Sequence, residues 1–355
     1  MSTSRESVAD LYSKIADAEN MRLATHPMER EITLRTIRQA LTGSSGKSKP
    51  SSDAEGAALG KRIADVGGGP GKLSFVLADE GHHVDLIDLS PGLIQLAQAE
   101  QDRRRKSTDS DLGGDNGNNS SKSGHALLAS INVGDAMDPN LPLEADSYDA
   151  VLLLGPLYHL FEESERVAAV QNALKLAKPG QGFVFVAFVS FEAHLRDLAM
   201  REPQRLVEQA DFYSAYVSFL HSFTLHEHVQ YVSLHAAFAM SGATGLTWDN
   251  YGVLKLQLAS GRYARTNQAQ GTTSQSFHTS STHARQFLKQ HFAGQAELVS
   301  LRSTEGILGG GLDAKLADAE PRVLKAWVDL MFDEFSEHER HLGGADHLLA
   351  VLRRK

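Results

Sequence analysis

The chain has 355 residues, of which 41% are hydrophobic and 22% are charged, and its formal net charge of −9 argues against a nucleic-acid-binding surface. It contains no cysteine, which excludes disulfides, thiolate metal sites and cysteine nucleophiles. No apolar run is long enough to span a membrane, and residues 1–10 lack the apolar core of a signal peptide, so we expect a cytoplasmic protein.

Two helices are predicted ahead of the first strand, over residues 7–20 and 29–41, because apolar residues recur there at helical spacing. We expect them to cover one end of the central sheet. Residues 43–60 are rich in Ser, Gly and Lys and are expected to form a flexible linker. Three side chains of this region either pack within the helices or face a ligand: Tyr12, Arg22 and Glu29.

A strand, a glycine-rich turn and a helix follow one another at residues 62–78. Glycine permits positive φ angles and lets a ligand approach the backbone closely. The next strand, at residues 83–87, ends in Asp88, and an acid about twenty residues after such a turn is placed to accept hydrogen bonds from ribose hydroxyls. The pattern predicts a site for an adenosine-containing cofactor, and the alternative is a tight turn without a ligand.

The following residues alternate between helices and strands. Residues 103–124 are of low complexity, and we expect them, basic cluster included, to be a disordered surface insertion. Apolar strands at residues 126–133, 148–154 and 182–189 indicate a parallel sheet. Asp135 follows the first of these strands, at the edge where such sheets bind ligands.

Residues 191–271 form an insertion with many aromatic side chains, which we expect to be a substrate lid over a concave apolar site. His221, His226, His228 and His235 lie there, but no acid or cysteine completes a ligand set, so no metal site is expected. Residues 296–303 and 347–352, with a helix at 321–341 between them, are expected to close the sheet as an antiparallel pair of strands.

The glycine turn distinguishes two classes of cofactor. The dinucleotide fingerprint has a third glycine where this chain has Lys72. The segment Asp65-x-Gly67-x-Gly69-x-Gly71 instead resembles motif I of the class I S-adenosylmethionine-dependent methyltransferases. The later motifs of this resemblance are residues 86–91, 134–136, 154–160 and 176–180. The layout is similar to that of fungal small-molecule methyltransferases, such as those of roquefortine–meleagrin-type alkaloid pathways.

The resemblance implies an α/β fold of the Rossmann-like class I methyltransferase type. It has a mostly parallel seven-stranded sheet with an antiparallel last strand, an N-terminal helical cap and a helical lid insertion. The implied parts are a cap with its linker at residues 1–60, an S-adenosylmethionine-binding core at 61–190, a substrate lid at 191–271 and the C-terminal part of the core sheet at 272–355.

The resemblance also implies that S-adenosylmethionine is the cofactor, and it assigns residues to each part of that molecule. The methionine and ribose would lie against Gly67, Gly68, Gly69 and Gly71. The ribose hydroxyls would bind Asp88, and the adenine would contact Leu89, Asp135 and Ala136. The methionine amino group would approach the carbonyl of Leu154, and Tyr12 and Arg22 would reach the carboxylate or sulfonium end.

An oxygen acceptor must lose its proton during methyl transfer, so a histidine or carboxylate is expected beside the methyl donor. Three candidates for this base lie in elements expected at that edge of the sheet: His347, His159 and Glu29. The expected substrate is a small aromatic natural product, such as an indole alkaloid, methylated on a hydroxyl, an N-hydroxyl or an amine. The protein is expected to act as a monomer or homodimer.

Three other functions are considered. A protein or RNA methyltransferase that acts on planar amines carries an Asn-Pro-Pro-Tyr-type motif, whereas residues 155–158 of this chain read Gly-Pro-Leu-Tyr. A non-catalytic cofactor-binding subunit is disfavoured by the intact glycine turn and its two acids. A nicotinamide oxidoreductase is disfavoured by the missing third glycine.

Overall fold

The computed structural model describes residues 4–43, 60–111, 125–201, 203–208, 262–267 and 272–355. The linker predicted at residues 43–60 lies outside the described residues apart from its two ends. The same holds for residues 112–124 of the predicted insertion. Most of the predicted lid, including His221, His226, His228 and His235, also lies outside them.

The described strands are, in chain order, β1 (Arg62–Val66), β2 (His83–Asp88), β3 (Ser130–Val133), β4 (Ala150–Leu153), β5 (Phe183–Ser190), β6 (Arg262–Asn267), β7 (Thr272–Thr279), β8 (Ala296–Ser303) and β9 (His347–Arg354). The first five run parallel in the order β3-β2-β1-β4-β5. Strand β9 lies antiparallel beside β5, and β8 lies antiparallel beside β9. These seven strands confirm the predicted Rossmann-like sheet with its antiparallel last strand. The β6–β7 hairpin extends the sheet where β7 pairs with the end of β5.

The described helices are, in chain order, α1 (Ser4–Lys14), α2 (Ala16–Thr25), α3 (Pro27–Thr42), α4 (Lys72–Asp79), α5 (Pro91–Asp111), α6 (Glu163–Leu176), α7 (Phe191–Arg201), α8 (Arg205–Glu208), α9 (Ser281–Phe292), α10 (Pro321–Leu330) and α11 (Glu339–Leu342). Short 3₁₀ segments span Leu157–His159 and Leu312–Leu316, and a π-helical turn spans Met331–Phe335. Within these ranges no helix combines the length and apolarity that crossing a membrane requires.

The continuous helix predicted at residues 321–341 is wrong, because the chain leaves α-helical geometry after α10. Ser336 follows the π-helical turn and is fully buried. Its carbonyl accepts a hydrogen bond from the backbone N–H of Ser303 in β8, and its hydroxyl accepts one from Arg302. These bonds to a neighbouring strand compete with continuation of the helix, so the helical hydrogen-bond pattern stops there.

Helices cover both faces of the sheet. Alternate residues of a strand point to opposite faces. In β4, Val151 and Leu153 therefore join a cluster with α6 and α9, and Ala150 and Leu152 join a cluster with α3, α4 and α5. All four of these side chains are completely buried, which explains the unbroken apolar sequence of this central strand.

The prediction that residues 103–124 are disordered is wrong for residues 103–111, which continue α5. Arg104 is buried there, pairs with Glu100 one turn earlier and with Asp79 of α4, and lies 4.4 Å from the ring centre of Phe75. The exposed Arg103 also pairs with Glu100. The local composition indicated a solvated loop because it carries no information about contacts with another helix.

Candidate active site

An open cleft of about 1410 Å³, solvent at its mouth included, lies at the carboxyl ends of the parallel strands. Its floor is the glycine turn after β1, and its walls come from the ends of β2 and β4, the segment after β3, the helices α1–α3 and the start of β9. Ligands bind at this edge in open parallel sheets, because the loops after neighbouring strands meet there.

The turn after β1 leaves no room for side chains at two of its glycines. Gly67 has a φ of 81°, and a Cβ on it would lie 2.3 Å from Cγ of Pro156. A Cβ on Gly68 would lie 2.4 Å from Cγ and Oδ2 of Asp65. Both residues line the cleft, so the turn presents bare backbone to a ligand. Gly71 does not line the cleft; it precedes α4 with a φ of 76° and packs near Leu86.

Asp65 at the end of β1 has an unsatisfied oxygen. Its side chain is buried and lines the cleft. Oδ2 accepts a hydrogen bond of 2.6 Å from the hydroxyl of Ser74, whereas Oδ1 has no partner within the described part of the chain. Burial raises the pKa of this carboxyl group to about 6. A buried acceptor without a donor is costly, so this position suits a ligand that brings a donor, above all a cationic one.

Asp88 ends β2 and organises the loop around it. Its Oδ2 accepts the backbone N–H of Gly69 at 2.8 Å, and its Oδ1 accepts that of Ser90 at 2.8 Å. Burial raises the pKa of Asp88, and these two hydrogen bonds oppose that shift. Each oxygen of an ionised carboxylate has two lone-pair sites, so each can accept a further hydroxyl donor from the cleft.

The cap helices close one side of the cleft. The hydroxyl of Tyr12 in α1 lies 2.7 Å from Nε2 of His159, and the two rings meet edge to face. The hydroxyls of Ser13 and Ser90 lie 3.0 Å apart. A Cβ on Gly92 would lie 2.9 Å from Cα of Ser13, so this glycine lets α1 rest directly on the start of α5.

A polar cluster around His347 also faces the cleft. Nδ1 of His347 lies 2.8 Å from Oε1 of Glu305 and 3.9 Å from Oε2 of Glu29. Glu305 is only 3% exposed, and Thr304 before it also lines the cleft. The sequence analysis assigned no role to Glu305. The position of this acid two residues after β8 resembles that of Asp88 at the end of β2, and this pattern points to it.

Most of the residues proposed from the sequence meet in this one cleft. Those that line it are Tyr12, Glu29, Gly67, Gly68, Gly69, Asp88, Leu89, Asp135, Ala136, Leu154, His159 and His347. Arg22 belongs to α2, but its side chain lies outside what the structure describes. Further polar residues of the lining that the sequence analysis did not propose are Glu19, Arg30, Thr33, Asp65, Lys72, Tyr158 and Thr304.

The sequence of the chain matches a known family model over the residues that form the floor of this cleft. The family model described as "Methyltransferase domain" matches residues 64–185, which run from within β1 to the start of β5 and include the glycine turn. None of the curated protein sequences matches the chain.

Several solved structures are similar over most of their length. A SAM-dependent methyltransferase from Methanosarcina mazei is 15% identical, with 83% of this chain and 92% of that chain covered and a TM-score of 0.43. A Pyrococcus horikoshii protein is 13% identical, with coverages of 95% and 99% and a TM-score of 0.45. The magnesium protoporphyrin IX methyltransferase of Synechocystis, solved with bound SAM, is 18% identical, with coverages of 54% and 79% and a TM-score of 0.36.

The residues of the cleft fit S-adenosylmethionine. Its ammonium group is a donor of the kind that the buried Oδ1 of Asp65 lacks, and the side-chain-free turn at Gly67 and Gly68 leaves space beside it. Residues 64–185 therefore form a methyltransferase domain, and S-adenosylmethionine is its cofactor.

Proposed function

We propose that the protein methylates a hydroxyl group, an N-hydroxyl included, or an amine of a small aromatic natural product such as an indole alkaloid. The observation that carries this proposal is the continuity of the cleft, in which the glycine turn and a histidine–carboxylate cluster face the same space. A concave site whose exposed lining surface is mostly apolar suits a small, largely apolar molecule. The motif resemblance to fungal alkaloid methyltransferases supports the same class of acceptor.

The cofactor contacts follow from the residues that line the cleft. Asp65 Oδ1 and the carbonyl of Leu154 would hold the ammonium group, and the remaining lone pairs of Asp88 would accept the ribose hydroxyls. Leu89, Asp135 and Ala136 would hold the adenine, and Gly67, Gly68 and Gly69 would leave room for the methionine and ribose. Tyr12 and Arg22 are proposed for the carboxylate or sulfonium end.

When bound against Gly67, Gly68 and Gly69, S-adenosylmethionine would supply an electrophilic methyl group from its sulfonium. The protein aligns the acceptor with that methyl group, and such alignment supplies much of the rate in displacement reactions. A hydroxyl acceptor also loses its proton to a base. His347, His159 and Glu29 all line the cleft and are the proposed bases. Nε2 of His159 is already engaged with the hydroxyl of Tyr12.

Two alternative functions make different predictions. A protein or RNA methyltransferase would modify a macromolecule, although the net charge of −9 opposes binding to RNA. A non-catalytic subunit would bind S-adenosylmethionine without forming any methylated product. A cytoplasmic location and a monomeric or homodimeric state remain predictions from the sequence.

The first test separates cofactor binding from chemistry. Wild type, Gly67→Ala and Gly180→Ala are titrated calorimetrically with S-adenosylmethionine. Both glycines have positive φ, but a Cβ on Gly180 meets nothing within 4 Å, so this variant controls for backbone strain. We expect the affinity to fall at least about tenfold for Gly67→Ala alone, which corresponds to a loss of about 1.4 kcal/mol.

The second step identifies the acceptor class. Wild type is incubated with S-adenosylmethionine and 1-hydroxyindole, a naphthol, tryptamine, a histone peptide or transfer RNA, and the products are analysed by mass spectrometry. Methylation of a small aromatic compound supports the proposal. Methylation of the peptide or the RNA alone contradicts it, and cofactor binding without any product favours the non-catalytic subunit.

A further inference from the structure

Glu305 is a buried carboxylate whose two oxygens each accept two hydrogen bonds. Oε2 accepts the backbone N–H groups of Asp346 at 3.0 Å and of His347 at 3.1 Å. Oε1 accepts the hydroxyl of Thr304 at 2.9 Å and lies 2.8 Å from Nδ1 of His347. An ionised carboxylate has about four acceptor sites, so this arrangement matches its capacity.

The surroundings of Glu305 decide which nitrogen of His347 carries the proton. A carboxylate oxygen only accepts hydrogen bonds, so Nδ1 must be the donor in the 2.8 Å contact. In the neutral imidazole the other nitrogen, Nε2, then holds the basic lone pair. This is the tautomer that a general base needs if it is to take a proton from a substrate at Nε2.

The segment that carries His347 is held firmly in place. Asp346 accepts hydrogen bonds from Arg196 of α7 at 2.7 Å and from the backbone N–H of Gly310 at 2.7 Å. The backbone N–H of Ser190, at the end of β5, donates to the carbonyl of Asp346 at 2.9 Å. These bonds fix the backbone just before His347, and the contact of Nδ1 with Glu305 orients the imidazole, as a catalytic side chain requires.

We propose, on the basis of the proposed function, that Glu305 is a positioning residue which holds the proton of His347 on Nδ1 and so makes Nε2 the atom that receives the acceptor's proton. The oxygen–hydrogen bond of the acceptor breaks, the proton moves to Nε2 and its electron pair stays on the oxygen. The resulting imidazolium lies 2.8 Å from Glu305 and 3.9 Å from Glu29 of α3. These two carboxylates stabilise its charge, and the cations Arg30 and Lys72 line the same cleft.

A metal site is the competing use of the same residues. Ligating atoms of Glu29, Glu305 and His347 all lie within 4.8 Å of one another. A metal ion would need lone pairs of Glu305 that already accept two backbone N–H groups, a hydroxyl and an imidazole N–H. Loss of these bonds would leave buried donors unpaired, so the positioning role is favoured.

The test reads the tautomer of His347 directly. Protein labelled with ¹⁵N in its histidines is studied by NMR as wild type, Glu305→Gln and Glu334→Gln, with His347→Asn to assign the resonance. Glu334 is an exposed acid of the π-helical turn and serves as the matched control. We expect the proton on Nδ1 in wild type and Glu334→Gln, and a shift towards Nε2 in Glu305→Gln, because the amide can donate to Nδ1.

The kinetic counterpart uses 1-hydroxyindole, or the acceptor that the product analysis identifies. We expect kcat to fall about 10²- to 10⁴-fold in Glu305→Gln, with little change in the affinity for S-adenosylmethionine. In a His347→Asn background, Glu305→Gln should cause no further loss, because a positioning residue acts only through the base. If Glu305→Gln does not fold, as judged by loss of cofactor binding, Thr304→Val provides the second variant, and we expect a mixture of tautomers and a smaller fall in kcat.

The possible outcomes distinguish this inference from the proposed function. Absence of any methylated small molecule with wild type would refute the proposed function, while the NMR result would still decide whether Glu305 sets the tautomer. A wild-type proton on Nε2, additive losses in the double variant, or broadening of the His347 resonance by Mn²⁺ with loss of activity in a chelator would each overturn the inference.

Discussion

At the scale of single residues, burial of Asp65 makes cofactor binding depend on pH. The pKa of this carboxyl group is about 6 in the folded protein against an ordinary value of 3.8, because burial disfavours its charge. Below its ordinary pKa the carboxyl group is protonated in both the folded and the unfolded protein, so its titration does not lower the free energy of unfolding. As the pH rises to about 6, the ionised form destabilises the cofactor-free folded protein increasingly, and the loss reaches about 3 kcal/mol above that point. The ammonium group of the cofactor relieves this cost, because it pairs with the ionised form.

We therefore expect the affinity of wild type for S-adenosylmethionine to fall by up to about tenfold per pH unit below about pH 6. Asp65→Asn should bind the cofactor weakly and without this pH dependence, yet its cofactor-free form should be at least as stable as wild type above about pH 7. Calorimetry and urea unfolding between about pH 5 and pH 7.5 check both statements, with the exposed Asp318→Asn as control. A pH-dependent Asp65→Asn variant would contradict this assignment.

The same scale shows what the sequence can predict about a site. The glycines of the turn, Asp88 and Asp135 stand at or just after the ends of strands, so a local pattern places them at the ligand edge. Glu305 also follows a strand, but its function depends on Nδ1 of His347, which is 42 residues away in the chain. Pairings of this kind arise from tertiary packing, so the sequence shows that an acid follows the strand but does not show which residue it contacts.

At the scale of elements, the basic end of α5 shows how composition alone can mislead. Arg104 is buried against Phe75 and pairs with Asp79 and Glu100, whereas its neighbour Arg103 is exposed and pairs only within the helix. Helix α5 is therefore held against α4 by one arginine of the cluster. The alternation of strands and helices was predictable because local periodicity encodes it, whereas the extension of α5 depends on a partner helix.

Replacement of Arg104 by alanine should lower the free energy of unfolding by about 2 kcal/mol, since the change removes the packing on Phe75 and leaves Asp79 without its cation. Replacement of Arg103 should change it by no more than about 0.5 kcal/mol. Urea unfolding followed by circular dichroism measures both variants. Equal stability of the two variants would mean that the end of α5 is not docked on α4 in solution.

At the scale of the whole molecule, the cleft joins parts of the chain that are far apart in sequence. Tyr12 and Glu19 come from the cap helices α1 and α2, Gly67 to Gly69 from the turn after β1, and His347 from the start of β9. Helix α9 instead packs its buried side chains into the core on one face of the sheet, and none of its residues lines the cleft as described. A bound cofactor should therefore tie the cap to the sheet and leave local openings of α9 unchanged.

Hydrogen exchange with and without S-adenosylmethionine tests this expectation. At a cofactor concentration about 100 times the Kd, openings that release the cofactor become about 2.7 kcal/mol more costly, so the affected amides should exchange about 100-fold more slowly. We expect this protection in α1, in α2 and in residues 67–71, and we expect none for amides of α9 that exchange through local opening. The Gly67→Ala variant, which should bind the cofactor weakly, should lose the protection in all of these segments. Protection confined to residues 67–71 would mean that the cap opens independently of the cofactor, and the proposed contact of Tyr12 with the cofactor would then be wrong.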